Sequence, residues 1–172
     1  MLAIATSKHF AERVEWVQHS AQAYTSSRRF DLIFMTGHAF QVLLTDDDAL
    51  EVLATMRNHV DEPGRVVFES RNPNLDWAKE WAGRVRKLPG EIFETLEITT
   101  ADGEFISFET TYQFPDKKLT TASTLRFPSL EHVETLINRS RLKLNQVLGD
   151  WDSSPLTTDY SREMIFHVQR SK

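Results

Sequence analysis

The sequence predicts an α/β protein in which part of a doubly wound, parallel sheet is followed by an inserted antiparallel sheet. Three observations carry this expectation. "FDLIFM" (Phe30 to Met35) and "VVFES" (Val66 to Ser70) are short, near-continuous apolar runs, as strands covered on both faces require. A stretch of helical period lies between them and is long enough to be the crossover of a parallel pair. Beyond residue 90 the texture changes to alternating strands bounded by turn residues, which marks antiparallel pairing. At 172 residues one domain is expected over 1–172. Its parts are a partial doubly wound half at 1–90, the inserted antiparallel sheet at 91–128, and a helix with a strand pair at 129–172.

Taken in order, Met1 to Ala11 is rich in helix formers but has no N-cap, so it reads as a helix entered partway along. "VEWVQ" (Val14 to Gln18) is a short strand. Thr45 and Asp48 form an N-cap pair, and Ala49, Leu50, Leu53 and Met56 follow at helical spacing. "DEPGR" (Asp61 to Arg65) is a Pro-Gly turn that stops this helix. Trp77 and Trp81 stand four apart on a further helix. The basic run Arg84 to Lys87 suits a last helical turn, where cations complement the dipole. Ile92 to Ile98, Glu104 to Phe114 and Leu119 to Phe127 are strands, with Asp102-Gly103 as the hairpin signal between the first two. Pro128-Ser129 opens a helix over Leu130 to Asn138 that turns Val133, Leu136 and Ile137 inward. Lys143 to Asp150 and Glu163 to Gln169 close the chain as strands.

Composition excludes several classes of function. A net charge of −5 gives no general attraction to nucleic acid or anionic membrane. With no cysteine there are no disulfides and no thiolate chemistry, which fits a cytoplasmic location. No apolar run approaches the roughly 20 residues of a membrane span, and the first residues lack the long apolar stretch of a signal peptide. The six histidines show no metal-ligand spacing, so no metal is expected. Asp150 and Asp152 flank Trp151 in "GDWDSSP", where a solvated turn is the simpler reading. Neither GxSxG nor a thiol nucleophile is present to support a hydrolase.

Several residues have the chemistry of a site, and each also has a plainer structural reading. His38 ends the "FDLIFM" run and could serve as a general base at neutral pH, or as a histidine bound to backbone at a pocket edge. Arg71-Asn72, before Pro73, could hold a substrate carboxylate or phosphate; Arg71 could equally pair with Glu69. Trp77 with Trp81 could wall a planar substrate or pack a helix face. Trp151 lies in a loop, where site residues concentrate.

The succession "RFDLIFMTGHAFQVL", "DEPGRVVFESRNP", "STLRFPSLEHVETLI", "VLGDWDSSPL" and "SREMIFHVQR" resembles the class I S-adenosylmethionine-dependent methyltransferases. The bacterial small-molecule type, with an antiparallel insertion after the fifth strand, is the closest group. That resemblance implies a Rossmann-like sheet with "FDLIFM" as its fourth strand and "VVFES" as its fifth, and a cofactor lying across the strands' carboxyl ends. It implies cofactor contacts at Ser20, Thr36 and Gly37, with Gly37 allowing a close backbone approach. It implies substrate contacts at Phe40, Gln41, Arg71, Asn72, Trp77 and Trp151, and at Tyr112 and Arg126 on the insertion. His38 would assist methyl transfer as a base.

One part of the pattern is missing. The family begins with a strand ending in a glycine-rich turn and a second strand ending in an acid that binds the cofactor's ribose. Neither has a counterpart among these residues: the six glycines form no GxGxG, and "MLAIATSK" resembles the helix just after that acid. The expected fold is therefore a truncated Rossmann-like methyltransferase sheet whose central strands are lacking, with the edge of "FDLIFM" laid open. "VEWVQ" could slide over to pair with it, a second copy could complete the sheet, or another polypeptide could supply the missing half. A homodimer is the expectation. Three functions follow: a small-molecule methyltransferase whose cofactor half lies elsewhere, a non-catalytic dimeric binding module derived from that fold, or a shortened form of an ordinary enzyme.

Overall fold

The structure, a computed structural model, describes residues 2–171. Its framework is a four-stranded sheet in the order β1 (Phe30–Met35), β2 (Val60–Arg71), β8 (Glu163–Arg170), β7 (Leu142–Leu148). β1 and β2 are parallel, while β8 runs antiparallel to both β2 and β7. A second sheet, entirely antiparallel, follows the order β3 (Arg84–Leu88), β4 (Ile92–Asp102), β5 (Phe105–Gln113), β6 (Lys118–Arg126). This is the expected partial parallel sheet, with an antiparallel C-terminal hairpin and an inserted antiparallel sheet.

α2 (Asp46–His59) is the β1–β2 crossover. Its N-cap is Thr45, whose hydroxyl accepts from the Asp48 N–H, and three aspartates fill the first turn beside the positive end of the dipole. The helix buries Ala49, Val52, Leu53 and Met56 against the sheet. α4 (Leu130–Arg139), capped by Ser129, adds Val133, Leu136 and Ile137 to the same core. β2 carries that core: Val66 to Ser70 are buried without interruption, because β1 and β8 flank the strand and both faces are covered. The Phe68 ring is stacked between Phe40, at 4.7 Å, and Phe166, at 5.0 Å.

A smaller core forms where α3 (Trp77–Trp81) meets the second sheet. There Trp77 and Trp81 pack with Leu96, Ile106 and Phe127. The two-residue loop Gly103-Glu104 joins β4 to β5, with Gly103 at a φ of +55°.

Four expectations need correction. "VEWVQ" is not a strand: Val14 to Gln18 is extended and exposed, with no partner strand to complete a ladder. Arg84 to Lys87 is strand β3 rather than a helix end, since pairing with β4 decides its conformation where local charge had suggested otherwise. The opening helix spans only Leu2–Ala5, with a 3₁₀ turn at Ala11–Arg13; Met1 lies outside the described residues. Finally, β1 is not covered on both faces. It is the sheet's edge, and Leu32 and Phe34 are 54% and 64% exposed.

"DEPGR" does interrupt the chain as expected, though inside a strand. Val60 already pairs with Phe30, and the ladder resumes with Arg65 opposite Leu32. Gly64 is required in that excursion, because a Cβ there would lie 2.8 Å from the Asp61 carbonyl oxygen. No helix among the described residues is long and apolar enough to cross a membrane.

Phe68→Ala should lower stability by about 3–5 kcal/mol, the range for emptying a buried phenylalanine site. Urea unfolding followed by far-UV circular dichroism tests this, and a loss below about 1 kcal/mol would contradict the packing described.

Candidate functional site

The carboxyl ends of β1 and β2 and the start of β8 meet at one edge of the first sheet. Antiparallel register puts Arg71 opposite Glu163, and the turn after Met35 brings His38 to the same place. Gly37 and His38 both adopt left-handed backbone, at φ of +72° and +59°. The turn aims the His38 N–H at Glu69, whose Oε1 accepts it at 2.8 Å. The other Glu69 oxygen accepts from the Trp151 indole N–H at 2.5 Å. His38 Nε2 is 3.0 Å from each carboxylate oxygen of Glu163.

Arg71 extends this group. Its Nη1 donates to Gln41 Oε1 at 2.8 Å, and its guanidinium lies 4.9 Å from the Trp81 ring centre and 5.6 Å from that of Trp77. Burial pulls its pKa below the ordinary arginine value, and the charges of Glu163 and Glu69 oppose that pull. Arg71 therefore has two carboxylates and an indole wall about it, with Gln41 as the only hydrogen-bond partner of its guanidinium among the described residues.

The residues singled out from sequence fall into separate places. His38, Gln41, Arg71 and Trp151 share this hydrogen-bonded cluster. Phe40 and Trp77 are each 3% exposed, so a ligand would reach neither without rearrangement. Both belong to packed cores, and Trp77 Nε1 donates to the Asn72 carbonyl oxygen at 2.7 Å. Asn72 is fully engaged: its side-chain amide donates to the carbonyls of Thr158 and Ser161 at 2.7 and 2.8 Å, which pins the loop before β8. Tyr112 is half-buried beside Glu94 on the second sheet, where burial, and then Glu94, push its phenol pKa up.

Arg126 is a buried tie between layers. Its Nη2 lies 2.8 Å from Asp46 and 2.9 Å from Glu104, and its carbonyl oxygen accepts from Gln41 Nε2 at 2.9 Å. Burial works against its charge, but the hydrogen bonds it donates to Glu104 and Asp46 outweigh this, and the net shift is upward. Asp150 and Asp152 are capped within their own turn, accepting from the N–H groups of Trp151 and Ser154.

Ser20 and Thr36 lie elsewhere, on a groove of about 690 Å³ between the irregular 14–24 segment, β1 and α2. Gly37 is not among its lining residues, and a Cβ there would meet no protein atom within 4 Å; the glycine serves the left-handed turn.

Sequence reasoning missed Glu163 and gave Glu69 only as a partner for Arg71. Glu163 opens an apolar strand, so its alternation resembles a surface position. The only available signal was its place before "MIFHV", at the end where β8 must meet β2. Glu94 was also missed; it is buried and held by Arg86 and Arg84.

This architecture is the fold of the class I S-adenosylmethionine-dependent methyltransferases. An S-adenosylmethionine-dependent methyltransferase from Clostridium acetobutylicum matches 99% of this chain over 71% of its own, with a TM-score of 0.84 at 15% identity. The CcbJ methyltransferase of Streptomyces caelestis matches 99% over 69% of its own, with a TM-score of 0.81 at 14% identity. The sugar N-methyltransferase KedS8 of a Streptoalloteichus species matches 90% over 62% of its own, with a TM-score of 0.67 at 13% identity. At such identities the likeness is one of fold. No protein-family model matches the sequence, and no curated protein matches it.

S-adenosylmethionine carries a carboxylate, two ribose hydroxyls and a sulfonium. The groove that holds Ser20 and Thr36 does not fit it. No glycine is among its described lining residues, and its one carboxylate, Glu15, is tied to Arg28. The walls are mainly apolar, from Trp16, Val17, Ile33, Phe34, Val52 and Met56.

His132 first, and then Arg126, hold the Asp46 carboxyl below the ordinary carboxylate range through hydrogen bonds. A depressed folded-state pKa contributes stability above the unfolded value, and that stability is lost as pH falls through the folded one. The urea midpoint should therefore drop on going from about pH 7 to about pH 3, and Asp46→Asn should remove part of that drop. Identical pH profiles for the two proteins would exclude this role for Asp46.

Proposed function

We propose that this chain forms the acceptor side of a methyltransferase-type site for a small molecule, working as a single unit. The supporting observation is the convergence of His38, Glu69, Arg71 and Glu163 at the carboxyl ends of two parallel strands in a methyltransferase fold. Open α/β sheets bind ligands at that edge. On this reading His38 accepts a proton from the acceptor, and Arg71 holds an anionic or strongly polar group of it. Tyr112 and the adjoining face of the second sheet form the cover. The donor side comes from outside the residues of this chain, since the groove beside β1 lacks the groups to hold S-adenosylmethionine.

A second reading has a specific observation in its favour. The same misfit of the groove supports a binding module that keeps the acceptor edge and performs no transfer. Titration calorimetry with S-adenosylhomocysteine tests the donor part of both. No heat of binding is expected from this chain alone, and binding at micromolar concentration would overturn the assignment of the donor side elsewhere.

We further propose a homodimer that covers β1. Its support is the unpaired edge and the exposed Leu32 and Phe34 side chains, since a bare apolar edge invites pairing. Sedimentation equilibrium should give twice the 19.9 kDa of one chain, with Phe34→Lys returning it to the single-chain mass. A wild-type protein that stays at 19.9 kDa at high concentration would refute the dimer.

A further inference from the structure

A carboxylate can only accept hydrogen bonds, so an imidazole nitrogen facing one must carry the proton. His38 Nε2 faces Glu163 at 3.0 Å from both oxygens. In the neutral ring the proton is then on Nε2, and the lone pair is on Nδ1. Nδ1 has no hydrogen-bond partner among the described residues, and the His38 side chain is 26% exposed, so this nitrogen is open to solvent or ligand.

We infer that Glu163 is the positioning residue of His38. It fixes the Nε2–H tautomer and leaves Nδ1 as the proton-accepting atom. The inference deepens the acceptor-site reading and rests on it for the use of that proton. The positioning itself rests on geometry alone.

Other contacts make the orientation specific. The His38 backbone is locked from the opposite side by Glu69, through its N–H at 2.8 Å. Glu69 is in turn held by the Trp151 indole, so it is not free to swing toward the ring. With the main chain fixed in a left-handed turn, the side chain has little freedom except rotation about its own bonds. Glu163 removes that freedom by accepting across both oxygens. Its own position is set by the β2–β8 ladder, where it stands opposite Arg71. The charged group that meets the ring is Glu163 from β8, while Glu69 from β2 meets the His38 main chain. A carboxylate on one nitrogen orients the ring and favours the imidazolium formed when the other nitrogen takes a proton.

Long-range ¹H–¹⁵N correlation spectra of the full chain, labelled at histidine, read the tautomer directly. Above its titration the His38 ring should show the Nε2–H form. Glu163→Gln offers an amide that can donate to the ring nitrogen as well as accept from it, so the Nδ1–H form should appear beside the Nε2–H form. Glu163→Ala should likewise give a mixture of tautomers.

A wild-type ring in the Nδ1–H form would overturn the inference without needing any variant. So would a ring that keeps the Nε2–H form alone in both variants while both remain folded by circular dichroism. Either result leaves the acceptor-site reading in place. Conversely, S-adenosylhomocysteine binding would revise the donor assignment and leave the tautomer unaffected.

Discussion

The burial of β2 on both faces and along both edges is the constraint on which the remaining structure depends. Val66, Val67 and Phe68 cannot be exposed without a large apolar cost. The strand is therefore trapped between β1 and β8, with α2 and α4 closing the core. Its register then determines the chemistry at its end. Because Met35 pairs with Phe68, the turn after β1 delivers His38 beside Glu69. Because Arg71 pairs with Glu163, the antiparallel strand returns a carboxylate to the same edge. A cluster assembled from three strands is thus a consequence of one strand's packing.

The inserted sheet is joined to this framework by a short polar chain. Arg71 donates to Gln41, Gln41 donates to the Arg126 carbonyl, and Arg126 pairs with Asp46 at the start of α2. Gln41 is fully buried, so both ends of its amide must be satisfied, and they are. The same side chain therefore orients Arg71 within the cluster and fixes the second sheet against the first. Packing of Trp77 and Trp81 against Leu96 and Phe127 supplies the apolar part of that junction.

The open side of β1 has a different character. The irregular segment before it is attached to α2 through the Thr55 hydroxyl, which donates to the Gln22 carbonyl, and through the Ser26 N–H, which donates to His59 Nε2. Among the described residues no hydrogen bond ties it sideways to β1. An apolar groove separates the two. The chain spans 62–71% of the length of the solved methyltransferases described above.

The sequence by itself determined most of the elements and their order along the chain, because the apolar runs, the Thr45 cap, the Gly103 turn and the α4 stripe are local signals. It also marked His38 and Arg71 as polar residues just beyond apolar runs. It could not show that Phe40, Asn72, Trp77 and Arg126 are closed off, since burial arises only when the layers meet. The 14–18 segment and the 84–88 strand were misread because β structure depends on a partner, and no local residue names one. Only the tertiary structure joined Glu163 to His38, across 125 residues of chain. Strand register decides that encounter, and register is a property of the assembled sheet.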